Sequence, residues 1–149
     1  MAKLPPNPLV SEILRAAHGG KTVKRKVEIL QENIRDDVKA LLIWNYDKGI
    51  KSAIPEGDVP YKKNDAPAGT DGHTRLIHEW RSLYNFVRGG NDKLSNMKRE
   101  TMLIQLLESL HADEAEVVCL AKDKDLQSKY KITRSVVEQA YPDIVWKDR

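Results

Sequence analysis

DLQSKYKITRSVVEQAYPDIVW, residues 125–146, reads as the end of one helix, a basic turn, a short second helix and a Pro-marked stop. Lys129, Lys131 and Arg134 crowd the turn, and Thr133 stands where an N-cap would accept backbone amides. Ile132, Val136, Val137, Ala140 and Tyr141 supply an apolar face behind it. A helix N-terminus flanked by cations suits a phosphate. The expectation is that the other helices form a platform. It presents this turn, and a second basic turn near Lys21, to a nucleic-acid backbone.

The chain has 149 residues, so one domain over 1–149 is expected. Hydrophobic residues make up 40 %, enough for a core at this size and too many for wholesale disorder. The net charge is +3, from 25 basic and 22 acidic residues, so contact with a polyanion must come from local clusters. One cysteine, Cys119, excludes an intramolecular disulfide and fits a reducing compartment. The N-terminal residues carry no long apolar run of a secretory signal, and no stretch approaches the ~18 apolar residues of a membrane span. Cytoplasmic localisation is expected.

Working outward, residues 1–8 form a proline-rich, extended lead-in. Leu9, Ile13, Leu14 and Ala17 are spaced as one helical face, ended by Gly19-Gly20. In the next helix, residues 21–31, Val23, Val27, Leu30 and then Ile34 recur every three to four residues. Lys21, Lys24 and Arg25 fall mostly on the opposite side, with Lys26 nearby. Such a basic run reads either as a solvated face or as a phosphate contact. Residues 33–47 turn Val38, Leu41, Leu42 and Tyr46 inward, with Trp44 off that stripe. Residues 50–72 are one long irregular loop holding Pro55, Pro60 and Pro67 with Gly57, Gly69 and Gly72. Its cations Lys51, Lys62 and Lys63, with Tyr61 between, could fold onto a polyanion; the plainer reading is a loose connection.

Residues 73–87 give the strongest helical signal, with Leu76, Ile77, Trp80, Leu83, Tyr84 and Val87 on one face and Gly89-Gly90 at the end. Trp80 is read as core, and Trp146 as packing under the C-terminus. A fifth helix over 97–110 buries Leu103, Leu106, Leu107 and Leu110. Asp113 with Glu116 is a capping-box pattern for a sixth, which buries Val117, Leu120 and Ala121, plus Cys119 or Val118. The seventh follows Thr133. No run alternates with period two, so the expected fold is all-α, a compact bundle of about seven helices.

Catalytic constellations are wanting. His73 and His78 are five apart and point to different sides of a helix. His78-Glu79 lacks a second His four residues on. His111, Asp113, Glu114 and Glu116 read as a helix start, where acids suit the dipole. Cys119 lies in an apolar helix and reads as core, and GGK at Gly19 lacks the first Gly and the strand of a P-loop. The expectation is a binding module, not an enzyme, with no metal and no cofactor.

Two stretches carry a family pattern. In residues 27–54 these are Ile29-Leu30, Asn33, Asp36-Asp37, Leu41-Leu42, Tyr46 and Gly49-Ile50. In residues 100–146 they are Leu103 to Leu110, Asp113 to Glu116, Asp125-Leu126, residues 129–134, Val136-Val137 and Tyr141-Pro142. With Leu9 to Leu14 they cover most of the chain, which resembles the N-terminal α-helical DNA-binding domain of ATP-dependent DNA ligases, particularly those of T-even-like tailed phages. The resemblance implies a domain that wraps duplex DNA across the minor groove, mainly through backbone contacts. By position it makes the turn at 129–134 a phosphate-binding element. The family's adenylation motif Lys-x-Asp-Gly is missing, and Gln127, Ser128 and Tyr130 stand where the family turn often carries Gly. A standalone phage copy, unable to ligate alone, is therefore expected.

The resulting expectation is a non-catalytic module that grips the duplex DNA backbone, accessory to phage DNA metabolism in the host cytoplasm. Its contact residues are Lys129, Lys131, Thr133, Arg134, Lys21, Lys24, Arg25, Lys62 and Lys63. The alternative is a phage accessory or virion protein acting on a host or viral protein machine. The acidic cluster at 108–116 and the loop at 50–72 suggest that alternative.

Overall fold

A computed structural model of the chain describes Leu4, residues 6–67, Thr70 and residues 72–148. Most of the lead-in read over 1–8 and Gly69 of the long loop lie outside the described residues. Among the described residues the fold is all-α: seven α-helices and no strand, with isolated bridges only at Ser52–Val87 and Thr74–Leu110. The helices are α1 (Val10–His18), α2 (Val23–Glu32), α3 (Asp36–Tyr46), α4 (Leu76–Glu79), α5 (Asn96–Ser109), α6 (Ala112–Lys122) and α7 (Arg134–Ala140).

Helix α6 is the hub. It packs on α1, α3 and α5 and buries Ala115, Val117, Val118 and Ala121 completely. Helix α2 packs between α1 and α7. The faces expected for α1, α5 and α7 are the buried ones: Ile13, Leu14 and Ala17; Leu103, Leu106 and Leu107; Val136, Val137 and Ala140. The α2 face differs. Val23 is 52 % and Ile34 55 % exposed, while the adjacent pair Ile29 and Leu30 is buried. The buried stripe of α2 is shifted in phase from the expected one, because α2 meets α7 as well as α1. Tyr141 donates its hydroxyl to the Leu30 carbonyl at 2.7 Å, fixing that contact.

The segment with the strongest helical pattern is not one helix. Only Leu76–Glu79 is α-helical, and Trp80–Phe86 continues as a 3-10 helix. Two side chains favour the tighter winding by bonding three residues back. Ser82 Oγ donates to the Glu79 carbonyl at 2.7 Å, and Asn85 Nδ2 to the Ser82 carbonyl at 2.9 Å. Gly90 folds hard onto this element: a Cβ there would stand 1.9 Å from the Tyr84 carbonyl oxygen. The rotated face leaves Tyr84, expected on the apolar face, 53 % exposed, and Trp80, expected as core, only half-buried.

The capping box expected at Asp113 is also replaced. The N-cap of α6 is His111, whose Nδ1 accepts from the Asp113 N–H at 3.1 Å. This earlier start turns Glu114 inward. Its carboxylate is fully buried and accepts from the Val10 N–H at 3.0 Å and the Leu76 N–H at 3.1 Å. It thereby ties the starts of α1 and α4 to α6. Burial pushes its pKa up, opposed by those two bonds and by Arg75.

The long loop is irregular, as read, but not loose. Lys122 Nζ, buried, donates to the Pro55 carbonyl at 3.1 Å and the Gly57 carbonyl at 3.0 Å. The Lys62 N–H donates to Glu108 at 2.8 Å, and the loop carbonyl of Pro67 meets His111 Nε2 at 3.2 Å. Helices α5 and α6 supply the polar partners that a loop without internal ladders needs.

Candidate nucleic-acid interface

Three chain segments meet at one corner: the end of α1, the first turn of α2, and residues 129–134. Thr22 caps α2, its hydroxyl accepting from the Arg25 N–H at 3.1 Å. With no acid in that first turn, Lys24, Arg25 and Lys26 all stand at the positive end of the helix dipole. That arrangement opposes the usual preference and favours a nearby anion. Thr133 caps α7 as expected, accepting from the Val136 N–H at 3.3 Å.

The corner is held by His18, which no sequence pattern singled out. The Lys131 N–H donates to His18 Nδ1 at 2.9 Å, which requires that nitrogen to be unprotonated. On the other side, Lys26 Nζ donates to the His18 carbonyl at 3.0 Å and the Ala17 carbonyl at 3.3 Å, capping the end of α1. Gly20 permits this, since a Cβ there would stand 3.0 Å from Lys26 Cγ. Lys26 and Lys131 are close enough to repel. The Lys26 ammonium is pushed below its ordinary pKa by burial and then by Lys131. The two basic turns are thus neighbours in space.

Their cations are used differently. Lys21, Lys24 and Lys131 are exposed, and among the described residues no carboxylate lies within ion-pair distance of them. Arg25 leans on Glu28 at 3.8 Å and Glu32 at 3.5 Å. Lys129 pairs with Glu116 of α6. Arg134 is a structural clasp. It forms a bidentate pair with Asp148, at 2.5 and 2.7 Å, and reaches Glu138 at 3.4 Å. It also donates to the Tyr46 carbonyl at 3.1 Å and lies 4.3 Å from the Trp146 ring centroid. The Asp148 hydrogen bonds hold its pKa above the ordinary arginine value. Arg134 therefore locks the C-terminal segment onto the end of α3.

Lys62 and Lys63 are exposed on the long loop, where the Lys62 N–H meets Glu108 of α5. The loop also approaches the second turn: Tyr61 faces Cys119 and Glu116, and Glu116 pairs with Lys129. Tyr130, between the two turn lysines, is buried, and among the described residues its hydroxyl has no hydrogen-bond partner. Burial, then Glu116, pushes its pKa up to about 12. Among the described residues no helix is long and apolar enough to cross a membrane.

No curated protein and no solved structure matches the chain. Residues 13–128 match the model of DUF6433, a family of unknown function; the match takes in the first basic turn and stops short of Lys129. On that match, which spans well over half of its length, the chain belongs to the DUF6433 family.

Proposed function

We propose that the chain is a non-catalytic, sequence-tolerant module that binds the backbone of duplex DNA, serving phage DNA metabolism in the host cytoplasm. The observation that carries this reading is the hydrogen bond from the Lys131 N–H to His18, which seats the second basic turn beside the first. Lys21, Lys24 and Lys131 then offer three uncommitted ammonium groups at one corner, next to the dipole-positive start of α2. Lysine on a flexible stem is a point charge, suited to phosphates and not to reading base edges. The resemblance to the ligase DNA-binding domain supports the same reading through its backbone-gripping turn. Lys129, Arg25, Lys62 and Lys63 act as secondary contacts, while Thr133 and Arg134 serve by shaping the turn.

The test is anisotropy titration of labelled intact and nicked duplexes with the wild-type chain and with Lys21→Glu/Lys24→Glu/Lys131→Glu. Backbone-dominated binding weakens steeply with salt, and the variant binds at least about tenfold more weakly. Equal affinity of the two proteins would overturn the assignment.

A further inference from the structure

The 3-10 helix that replaces the expected fourth helix opens a groove against α3. Ile43 and Trp44 of α3, Ile50, and Trp80, Leu83 and Tyr84 line it, enclosing about 240 Å³. This is below the roughly 300–1,000 Å³ of small-molecule sites, so it suits a few side chains and not a cofactor. No acidic residue lines it. Trp80 and Arg81 also border a second depression of about 510 Å³, where Ile77 and the exposed Ile34 lie. That second depression is lined largely by charged side chains, Arg35, Asp36, Asp37, Lys39 and Arg81, so the apolar anchor site is the groove against α3.

The charge around the groove is of one sign. Arg81 lies on its lip, 5.5 Å from the Trp80 ring centroid. Lys51 and Arg88 adjoin its end, where the Arg88 N–H donates to the Lys51 carbonyl at 2.7 Å. All three are exposed, and among the described residues no carboxylate lies within ion-pair distance of them. Asp36, in the second depression, is the one exposed carboxylate there. Half-exposed aromatics beside arginine are the composition of binding hot spots.

We infer that this groove docks an acidic amphipathic helical segment of a partner protein, apolar side chains seated over Leu83 and Trp80 and carboxylates meeting Arg81, Arg88 and Lys51. The acidic stretch 108–116 of a second copy fits poorly, because its acids are engaged. Glu114 is buried between two backbone amides, Glu116 pairs with Lys129, Asp113 approaches Arg15 at 3.7 Å, and Glu108 holds the loop. The inference is independent of the DNA reading, since it shares none of its cations.

The test uses a labelled helical peptide of leucine and glutamate at helical spacing, and its lysine-for-glutamate counterpart. Titrations are made with the wild-type chain, Arg81→Glu, Arg88→Glu and Tyr84→Ala. All three substituted side chains are exposed, and circular dichroism checks the fold. The expected result is saturable binding of the acidic peptide alone, about tenfold weaker in each variant, and unaffected by excess duplex DNA. The inference is overturned if neither peptide binds, if both bind alike, or if duplex DNA displaces the acidic peptide. Sedimentation showing a dimer that Tyr84→Ala dissolves would likewise overturn it, in favour of self-association.

Discussion

The two basic turns have similar composition and opposite employment. At 21–26 the cations flank a capped helix start, and two of them, Lys21 and Lys24, meet no carboxylate among the described residues. At 129–134 the strongest cation, Arg134, is consumed in holding Asp148, the Tyr46 carbonyl and the Trp146 ring, and Lys129 is paired with Glu116. Of the second turn, Lys131 is exposed and meets no carboxylate among the described residues. Positive charge in a sequence is therefore not positive charge offered to a ligand. What decides is whether an acid distant in the chain has already claimed it.

The largest expected effect separates the turns by stability. Arg134→Ala removes a bidentate pair with Asp148, a carbonyl contact and a stacked ring together. A loss of about 2 kcal/mol in urea unfolding is expected. Lys24→Ala should stay within about 0.5 kcal/mol. Equal losses would erase the distinction between clasp and contact.

Lys26 sharpens the comparison from within the first turn, since its ammonium closes the end of α1. Lys26→Met keeps the stem and removes the donor to the Ala17 and His18 carbonyls. A loss of about 1 kcal/mol is expected in the same assay, between the two values above.

The smallest effect tests whether the turns touch. The Lys26 pKa lies below its ordinary value of 10.5 in the folded chain. Between that lowered value and 10.5 the unfolded chain holds more protons, so stability rises with pH across this window. Below the window the full penalty of the charged form is present. Lys131→Ala removes one of the two causes, so the Lys26 titration followed by NMR should move up and the rise should shrink. An unmoved titration would separate the turns.

Much of the architecture was legible because it rests on short-range periodicity. The buried stripes of α1, α5 and α7 and the Thr133 cap follow from spacings of three and four residues. The errors arise where a distant partner decides. Glu114 looks like any first-turn acid until the amides of Val10 and Leu76 reach it from other helices. Ile29 outranks Val23 because two helices flank α2. The 3-10 winding at Trp80–Phe86 depends on Ser82 and Asn85, whose local bonds a hydrophobic pattern ignores. The candidate site divides likewise. Its lysines are visible in the sequence, whereas their juxtaposition depends on His18, 113 residues from Lys131.

On the proposed function, Lys21, Lys24 and Lys131 make one phosphate-binding corner. The direct measurement is the slope of log affinity for duplex DNA against log salt, for the wild type and for Lys21→Ala/Lys24→Ala/Lys131→Ala. Each phosphate contact contributes about 0.9 to that slope. The triple variant should lose about two to three units of slope while unfolding at the wild-type urea midpoint. An unchanged slope with intact stability would contradict it.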